Sequence, residues 1–259
     1  IVPDGNHVIV HQNSYIKSLK LLDITDGCRS EEIPMSNTMD LKDSKVNPPN
    51  PQLSSLLPVT GSLRYIADRT RPDVLVAVGE ISSNATPHPS DGHIKTAKRI
   101  LRYLKSTQNH MLRLGGNGPI EMFGFSDASH ITAGKSKSRY GGSLYLGLDS
   151  GAFWSMSKNA TTISLSSCES EIKAMTLVAC AIIHERDKLK AIGFEQVKPT
   201  VLYTDSKSSV DLCKTLRSKE NTKHVNVRIN FLRECVNNRI IEIVFIKTDL
   251  MVADLLTKP

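Results

Sequence analysis

The hydrophobic pattern of this 259-residue chain changes its period at one point, and that change most constrains the fold. Before Gly115-Gly-Asn-Gly-Pro119, apolar residues recur at three- and four-residue steps, which predicts helices. After it, alternate residues such as Phe123 and Phe125 share one face, which predicts strands. The glycines and the proline between the two patterns favour a boundary. We therefore predict two domains, residues 1–115 and 119–259.

The second domain is predicted to alternate between strands and helices. The predicted strands are one ending at Asp127, one marked by Leu144, Leu146 and Leu148, one at Ala152–Ser157, one at Val201–Thr204 and a buried one at Ile240–Ile246. Asp149-Ser-Gly151 predicts a hairpin turn between the second and third strands. The predicted order βββαβαβα indicates an α/β fold, a five-stranded mixed sheet flanked by helices.

The helices of this domain carry local signals of their own. Ser166-Ser-Cys-Glu169 matches the capping box S-x-x-E and predicts the start of a long helix. Its predicted buried stripe is Ile172, Met175, Ala179, Ile182 and Leu189. Further helices are predicted at residues 206–216 and 223–237 and in the segment that ends the chain.

The first domain is predicted to be mostly helical. Residues 1–33 predict short strands with a turn at Asp4-Gly-Asn6, and then a short helix. Four prolines in residues 34–53 indicate a linker. A helix is predicted from Leu56 to a break at Arg71-Pro72, since proline removes a backbone donor. The helix His93–Lys105 is predicted to bury Ile94, Ala97, Leu101 and Leu104.

Composition describes an ordinary globular chain, with 39% hydrophobic and 23% charged residues. No apolar run approaches the ~20 residues that span a bilayer, so we expect no membrane partner and a location on the cytosolic side of membranes. The five cysteines are odd in number and include no CxxC pair. They favour reduced, mostly buried thiols over disulfides or a zinc site.

The net charge of +7 is concentrated in two clusters. The first lies in one helical segment and comprises Lys95, Lys98, Arg99, Arg102 and Lys105. The second comprises Lys214, Arg217, Lys219, Lys223, His224 and Arg228. Such clusters suit a phosphate backbone, although each taken singly is equally typical of a solvated helix face.

Four carboxylates lie near the ends or beginnings of separate predicted elements: Asp127, Glu171, Asp205 and Asp254. A single Asp after a strand is more often a cap or turn residue, but four in this order indicate a shared site. Oxygen ligands held on rigid elements at one sheet edge are what a two-metal phosphodiester hydrolase requires. Glu171 is favoured over Glu169 as a ligand, because Glu169 fits the capping role and Glu171 precedes the buried stripe.

Six segments of the second domain carry a resemblance to a known family. They are FSDAS, SRYGGSLYLG, AFWSMSKNATTISLSSCESEIKAM, YTDSKSSVDL, NTKHVNVRINFLRE and ADLLTKP. Residues 119–259 resemble the ribonuclease H domain that ends copia-type LTR retrotransposon polyproteins. The resemblance implies a ribonuclease H-like fold, which the predicted order βββαβαβα matches. PVTGSLRYIADRTRPDVLVAV and HIKTAKRILRYLKST resemble the part of such a polyprotein that follows the polymerase palm. The resemblance covers residues 54–259, with a looser match through HQNSYIKSLKLL.

The resemblance implies a function for each acidic residue. Asp127, Glu171 and Asp205 correspond to the metal-binding triad of the family, and Asp254 corresponds to its fourth carboxylate. Two Mg²⁺ ions, with Mn²⁺ as a substitute, would activate the attacking water and stabilise the leaving 3′ oxygen. The first domain would be a remnant of a reverse-transcriptase thumb and connection region. No Tyr-x-Asp-Asp polymerase signature occurs.

Several polar residues are candidates for contact with an RNA/DNA hybrid. Ser129 and Ser206 flank the acidic positions and suit sugar 2′-hydroxyls, although capping and turn roles are equally open. Copia-type sequences commonly have Asn where this chain has Ser206. Lys223, His224 and Arg228 form the second group of candidates, and a lone helical His is more often structural. The loop His that cellular and retroviral ribonucleases H usually carry before the last Asp is absent from Ile246–Asp254.

The leading functional prediction is an endonuclease that cuts the RNA strand of hybrids during reverse transcription. Its expected partners are the hybrid and the upstream fingers and palm, from the same polyprotein or a second copy. The expected locations are the cytoplasmic virus-like particle and the nucleus. The alternative is a catalytically silent nucleic-acid-binding or scaffold fragment of a decayed or host-adopted retroelement.

Overall fold

The computed structural model describes residues 1–20, 29–36, 56–84, 91–130, 138–214 and 223–258. The chain divides into two compact units, one comprising Ile1–Val2 and Ile9–Leu112 and the other Pro3–Val8 and Arg113–Lys258. Strands β1 (Val2–Asp4), β2 (His7–Val10) and β3 (Leu112–Gly115) form a small sheet in that order. Of the predicted linker at residues 34–53, only 34–36 are described.

The described part of the first unit is mostly helical, as its sequence pattern predicts. Its α-helices are α1 (Asn13–Ser18), α2 (Leu56–Arg69), α3 (Leu75–Asn84) and α4 (Asp91–Ser106), and a 3₁₀ helix at Pro72–Val74 precedes α3. Helix α2 ends just before Arg71-Pro72, where the proline was predicted to break it. Helix α4 buries Ala97, Leu101 and Leu104 as predicted. The prediction for Ile94 is wrong: it is half-buried, because the buried face of α4 is centred on Ala97, Ile100 and Leu104 and leaves Ile94 at its edge.

The second unit contains the predicted five-stranded mixed sheet, and its fold is ribonuclease H-like. Its strands are β4 (Met122–Ser129), β5 (Arg139–Leu146), β6 (Ala152–Asn159), β7 (Thr200–Thr204) and β8 (Ile241–Phe245). They lie in the order β6-β5-β4-β7-β8. The pairs β4–β5 and β5–β6 are antiparallel, whereas β4–β7 and β7–β8 are parallel.

Helix α5 (Ser167–Ala191) begins at the predicted cap. The Ser166 hydroxyl accepts the Glu169 N–H at 3.1 Å, and Glu169 accepts the Leu165 N–H at 2.8 Å. An N-cap of this kind is worth about 1 kcal/mol. The predicted stripe from Ile172 to Leu189 is buried, and it packs on the sheet face formed by Met122, Leu144 and Leu202. Helices α6 (Lys207–Lys214) and α7 (Lys223–Asn237) follow β7.

Three details of the second unit differ from prediction. Leu148 is 90% exposed after β5, because β5 ends at Leu146 where it pairs with Met122, the first residue of β4. Strand β8 is an edge strand with an alternating burial pattern, so Glu242 is exposed and Phe245 is 46% exposed. The last segment forms 3₁₀ helices at Thr248–Leu250 and Val252–Leu256 instead of an α-helix.

The second face of the sheet carries an aromatic cluster. Phe123 stacks on Tyr145 with ring centroids 5.2 Å apart, and Phe125 stacks on Tyr203 at 5.1 Å. Such pairs contribute about 0.5–1.5 kcal/mol beyond their buried area. Met251 and Ala253 of the C-terminal segment pack against this cluster. Because alternate residues of β4 share a face, this packing brings the C-terminal segment to the face that carries Asp127.

Two further sequence expectations concern cysteines and membranes. The described cysteines, at positions 168, 180, 213 and 235, are all free thiols. Cys213 and Cys235 are buried, but Cys168 is half-buried and Cys180 is exposed, so the prediction of mostly buried thiols holds for only part of this set. Within the described ranges, no helix combines the length and hydropathy of a membrane span.

Candidate metal centre

Three acidic side chains from three different elements meet at one edge of the sheet. Asp127 lies near the end of β4, Glu171 lies in the second turn of α5, and Asp205 directly follows β7. One carboxylate oxygen of each lies within 4.8 Å of the other two. The parallel pairing of β4 with β7 explains the approach of the two aspartates, because the carboxyl ends of parallel strands meet at the same edge.

The helix contributes Glu171 to this group and not Glu169. Glu171 is 6% exposed, and its Oε1 accepts the backbone N–H of Ala128 at 3.3 Å. Glu169 instead caps the helix and forms an ion pair with Lys173 at 2.7 Å. The two glutamates therefore divide as the sequence predicted, one at the buried site and the other at the helix start.

Asp254, the fourth predicted carboxylate, lies beside this group on the 3₁₀ helix Val252–Leu256. Its charge contributes to raising the pKa values of both Asp127 and Glu171. Its Oδ2 pairs with Lys258 Nζ at 2.7 Å. Asp254 is thus close enough to act on the three-residue group electrostatically, while one of its oxygens is already neutralised by the chain.

The concentration of buried negative charge shifts the acidity of the group. Burial, together with the neighbouring charges of Asp127 and Asp205, raises the pKa of Glu171 to about 9. Burial also raises the pKa of Asp127 to about 6, against the lowering effect of a hydrogen bond from Thr257. Carboxylates this close together cannot all be ionised at neutral pH unless a cation compensates their charge.

The oxygen atoms of the group fit a hard divalent cation. Glu171 Oε2 and Asp254 Oδ1 are buried, and neither accepts a hydrogen bond from the residues that the structure describes. Mg²⁺ and Mn²⁺ prefer carboxylate oxygens of this kind as ligands. The donor set therefore fits the predicted metals, with Asp127, Glu171 and Asp205 as the central group.

The predicted substrate-contacting residues of the second unit lie on neighbouring elements. Ser129 ends β4 and is half-buried, Arg228 is half-buried on α7, and His224 is exposed near the start of α7. The side chain of Lys223 lies outside the described residues. Ser206 has a structural role, because its hydroxyl accepts the Ser209 N–H at 3.4 Å at the start of α6.

The basic residues of α4 belong to the first unit. Lys95 is exposed, and Lys98, Arg99, Arg102 and Lys105 are half-buried. Arg99 is already engaged within its unit, in an ion pair with Glu31 at 3.2 Å and a hydrogen bond to the Ile33 carbonyl at 3.0 Å. Their contact with nucleic acid stays a prediction, and Arg99 is the weakest candidate of the five.

Sequence reasoning missed three polar residues that contact the acidic group. The Thr248 hydroxyl donates to Asp205 Oδ2 at 2.9 Å, the Thr257 hydroxyl donates to Asp127 Oδ2, and Lys258 pairs with Asp254. Thr257 and Lys258 belong to the motif ADLLTKP, which identified the family resemblance. That motif was the available signal, but only Asp254 was selected from it.

Comparison with known proteins finds similarity to transposon polyproteins. No protein-family model matches it. It is 37% identical over 199 residues to "Retrovirus-related Pol polyprotein from transposon TNT 1-94" of Nicotiana tabacum, covering 76% of this chain and 15% of that protein. It is 31% identical over 204 residues to the corresponding polyprotein from transposon RE1 of Arabidopsis thaliana, covering 78% of this chain and 14% of that protein.

Among solved structures, LC11-RNase H1 isolated from compost is 12% identical, covers 53% of this chain and 93% of its own, and has a TM-score of 0.42. The chain spans only about one seventh of the length of the two polyproteins, at 15% and 14%.

Proposed function

This chain belongs to the family of retrovirus-related Pol polyproteins of copia-type transposons, and we propose that it carries their ribonuclease H activity. The proposed reaction is hydrolysis of the RNA strand of an RNA/DNA hybrid. The observation that carries the proposal is the convergence of Asp127, Glu171 and Asp205, whose carboxylate oxygens lie within 4.8 Å of one another. An acidic group of this density, at the sheet edge of a ribonuclease H-like fold, suits metal-dependent phosphodiester hydrolysis.

The proposed metal ligands are Asp127, Glu171, Asp205 and, beside them, Asp254. They would hold two Mg²⁺ ions, with Mn²⁺ as a substitute. When bound, such ions activate the attacking water and stabilise the charge that develops on the phosphate and on the leaving 3′ oxygen. The products would therefore carry a 3′-hydroxyl and a 5′-phosphate.

The chain itself contributes fixed ligand geometry and a partly water-excluded site. Asp127 and Glu171 are 5% and 6% exposed, so little reorganisation of their carboxylates is possible. The Ala128 N–H holds Glu171 against β4. Preorganised groups of this kind lower the barrier because their orientation is already set when the substrate binds.

We propose that polar and basic residues of the second unit hold the substrate. Ser129 suits a 2′-hydroxyl of the RNA strand, and Lys223, His224 and Arg228 suit phosphates. Ser206 is a weaker candidate, because its hydroxyl already takes part in capping α6. Lys95, Lys98, Arg102 and Lys105 of α4 would follow the duplex backbone, as expected of a thumb or connection region formed by residues 1–115.

The proposed partners beyond the hybrid are the reverse-transcriptase fingers and palm, either from the same polyprotein or from a second copy. The proposed place of action is the cytoplasmic virus-like particle or the nucleus. A catalytically silent scaffold is the alternative function, and it predicts hybrid binding without turnover.

A cleavage assay tests the proposal. The purified chain is incubated with a hybrid labelled on its RNA strand, in Mg²⁺, in Mn²⁺ or in EDTA, with RNA/RNA and DNA/DNA duplexes as matched substrates. We expect metal-dependent cutting of the hybrid RNA alone, with 5′-phosphate ends, and loss of cutting in Glu171→Gln. Binding without cleavage in either metal would support the silent scaffold instead.

A further inference from the structure

Each of the four acidic side chains has one oxygen engaged by a donor of the protein itself. The donors are the Ala128 N–H for Glu171 Oε1, the Thr257 hydroxyl for Asp127 Oδ2, the Thr248 hydroxyl for Asp205 Oδ2 and the Lys258 ammonium for Asp254 Oδ2. The engaged oxygens cannot turn freely, so each carboxylate presents its other oxygen in one orientation.

The second oxygens of Glu171 and Asp254 have no partner in the described part of the chain. Glu171 Oε2 and Asp254 Oδ1 are both buried, and within the described part of the chain neither accepts a hydrogen bond. A buried carboxylate oxygen without a donor is costly unless a cation is its partner. The pattern of one engaged and one unengaged oxygen is the pattern expected of ligands that bind a metal through a single oxygen.

Three of the four donors come from one stretch, Thr248–Lys258, which we call the C-terminal clamp. Thr257 is its most buried donor, with 4% of its surface exposed. The clamp also packs on the sheet through Met251 and Ala253, which contact the cluster around Phe125. Its donors are therefore held in place by apolar packing as well as by the carboxylates.

The sheet makes room for the clamp at one glycine. Gly141 lies opposite Asp127 in the β4–β5 pair. A Cβ at Gly141 would lie 2.7 Å from Thr257 Cγ2, 3.0 Å from the Ala253 carbonyl oxygen and 3.0 Å from Leu256 Cβ. The absence of a side chain at Gly141 thus allows Thr257 to reach Asp127.

We propose that Thr257 and Thr248 are positioning residues, which orient Asp127 and Asp205 as single-oxygen ligands of the divalent cation. The missing side chain at Gly141 leaves the space that Thr257 needs for this role. The proposal rests on the proposed function, since the cation is the one that the hydrolysis needs. Substitution of residues that hydrogen-bond to metal ligands typically lowers metal affinity or activity by about 10–100-fold. The C-terminal clamp would accordingly set metal affinity without touching the metal.

Calorimetric titration of Mn²⁺ into the metal-free full chain tests this directly. Thr257→Val keeps the side-chain shape and removes the hydroxyl, and we expect its Mn²⁺ Kd to rise by about 10–100-fold. Thr257→Ser keeps the hydroxyl and should restore wild-type affinity. Thr200→Val is the matched control, because Thr200 is equally buried but lies at the opposite end of β7 and pairs with Arg186.

Gly141→Ala provides a second route to the same effect. It removes no donor group but displaces Thr257, so its Mn²⁺ affinity should fall, as in Thr257→Val. Circular dichroism of each metal-free variant confirms that it is folded, and Thr248→Val replaces Thr257→Val if the latter is not.

The outcomes separate this proposal from the proposed function. Wild-type affinity in Thr257→Val or in its replacement would overturn the positioning role and leave the metal site intact. Failure of the wild-type chain to bind Mn²⁺ at all would overturn the metal-dependent function itself, and with it the positioning role.

Discussion

The backbone N–H of Ala128 donates to Oε1 of Glu171 at 3.3 Å, across 43 residues of sequence. This contact joins the long helix to the central strand one residue beyond Asp127. The contact holds the carboxylate of Glu171 next to that of Asp127, although the two would repel each other when both are ionised. The same contact leaves the second oxygen of Glu171 buried and without a donor among the described residues, as a metal ligand requires.

Asp127→Asn should lose hybrid cleavage while keeping hybrid binding. The substitution removes the charge that holds the cation but leaves the basic residues unchanged. Loss of a residue that only hydrogen-bonds to a metal ligand lowers metal affinity or activity by about 10–100-fold. Loss of the ligand itself should therefore lower kcat by at least ~100-fold. Single-turnover cleavage and filter binding measure the two effects, with Asp211→Asn on the exposed side of α6 as control. Loss of binding in parallel with cleavage would point to a folding role for Asp127.

Asp254→Asn should be milder than Asp127→Asn. Asp254 lies beside the three-carboxylate group, and one of its oxygens is already paired with Lys258 at 2.7 Å. We expect a loss of about 10-fold in kcat at saturating Mg²⁺, with part of it recovered at higher Mg²⁺. A Mg²⁺ titration of the cleavage rate checks this. A loss as deep as that of Asp127→Asn would make Asp254 an equal ligand.

Replacement of Lys95, Lys98 and Arg102 by alanine tests the basic face of α4. If these side chains contact phosphates, hybrid binding should weaken for every sequence alike. The slope of log K against log salt should fall by ~0.9 for each lost contact, or somewhat less for a hybrid. The cleavage rate at saturating hybrid should change little. Lys17→Ala in α1 is the control, and an unchanged slope in the triple variant would make α4 an ordinary solvated face.

The metal-free protein should lose stability as the pH rises. The pKa of Glu171 is raised from 4.5 to about 9, so the folded state holds its proton more tightly than the unfolded state. The contribution of Glu171 to the free energy of unfolding is therefore complete below its pKa in the unfolded state. It declines as the pH rises toward its pKa in the folded state. Thermal unfolding in EDTA between about pH 5 and about pH 8 should show this decline, more steeply in wild type than in Glu171→Gln.

Glu234→Gln, which removes an exposed carboxylate from α7, is the control for this series. Saturating Mg²⁺ should reverse the trend in wild type, because the cation binds the deprotonated carboxylates. Identical slopes in wild type and Glu171→Gln would mean that Glu171 is not the group whose proton is lost.

Local signals in the sequence determined the type of most elements and the identity of the acidic residues. The capping box at Ser166 defined the start of α5, and the helical period distinguished Glu171 from Glu169 two residues away. Period-two alternation placed Phe125 and Asp127 on one face of β4. These features depend on neighbours within a turn or a strand, so they are legible in a single sequence. The end of β5 could not be predicted in this way, because Leu148 continues the alternation of apolar residues beyond the strand.

Tertiary structure decided what depends on contacts distant in sequence. Register with β4 ended β5 at Leu146, and the edge position of β8 exposed Phe245 although its segment is apolar. The approach of Thr257 to Asp127 across 130 residues requires both the packing of the C-terminal clamp and the missing side chain at Gly141. The sequence thus identified the acidic residues that the fold brings together. Packing and strand register decided which donors hydrogen-bond to them, and neither of these leaves a periodic signal in the chain.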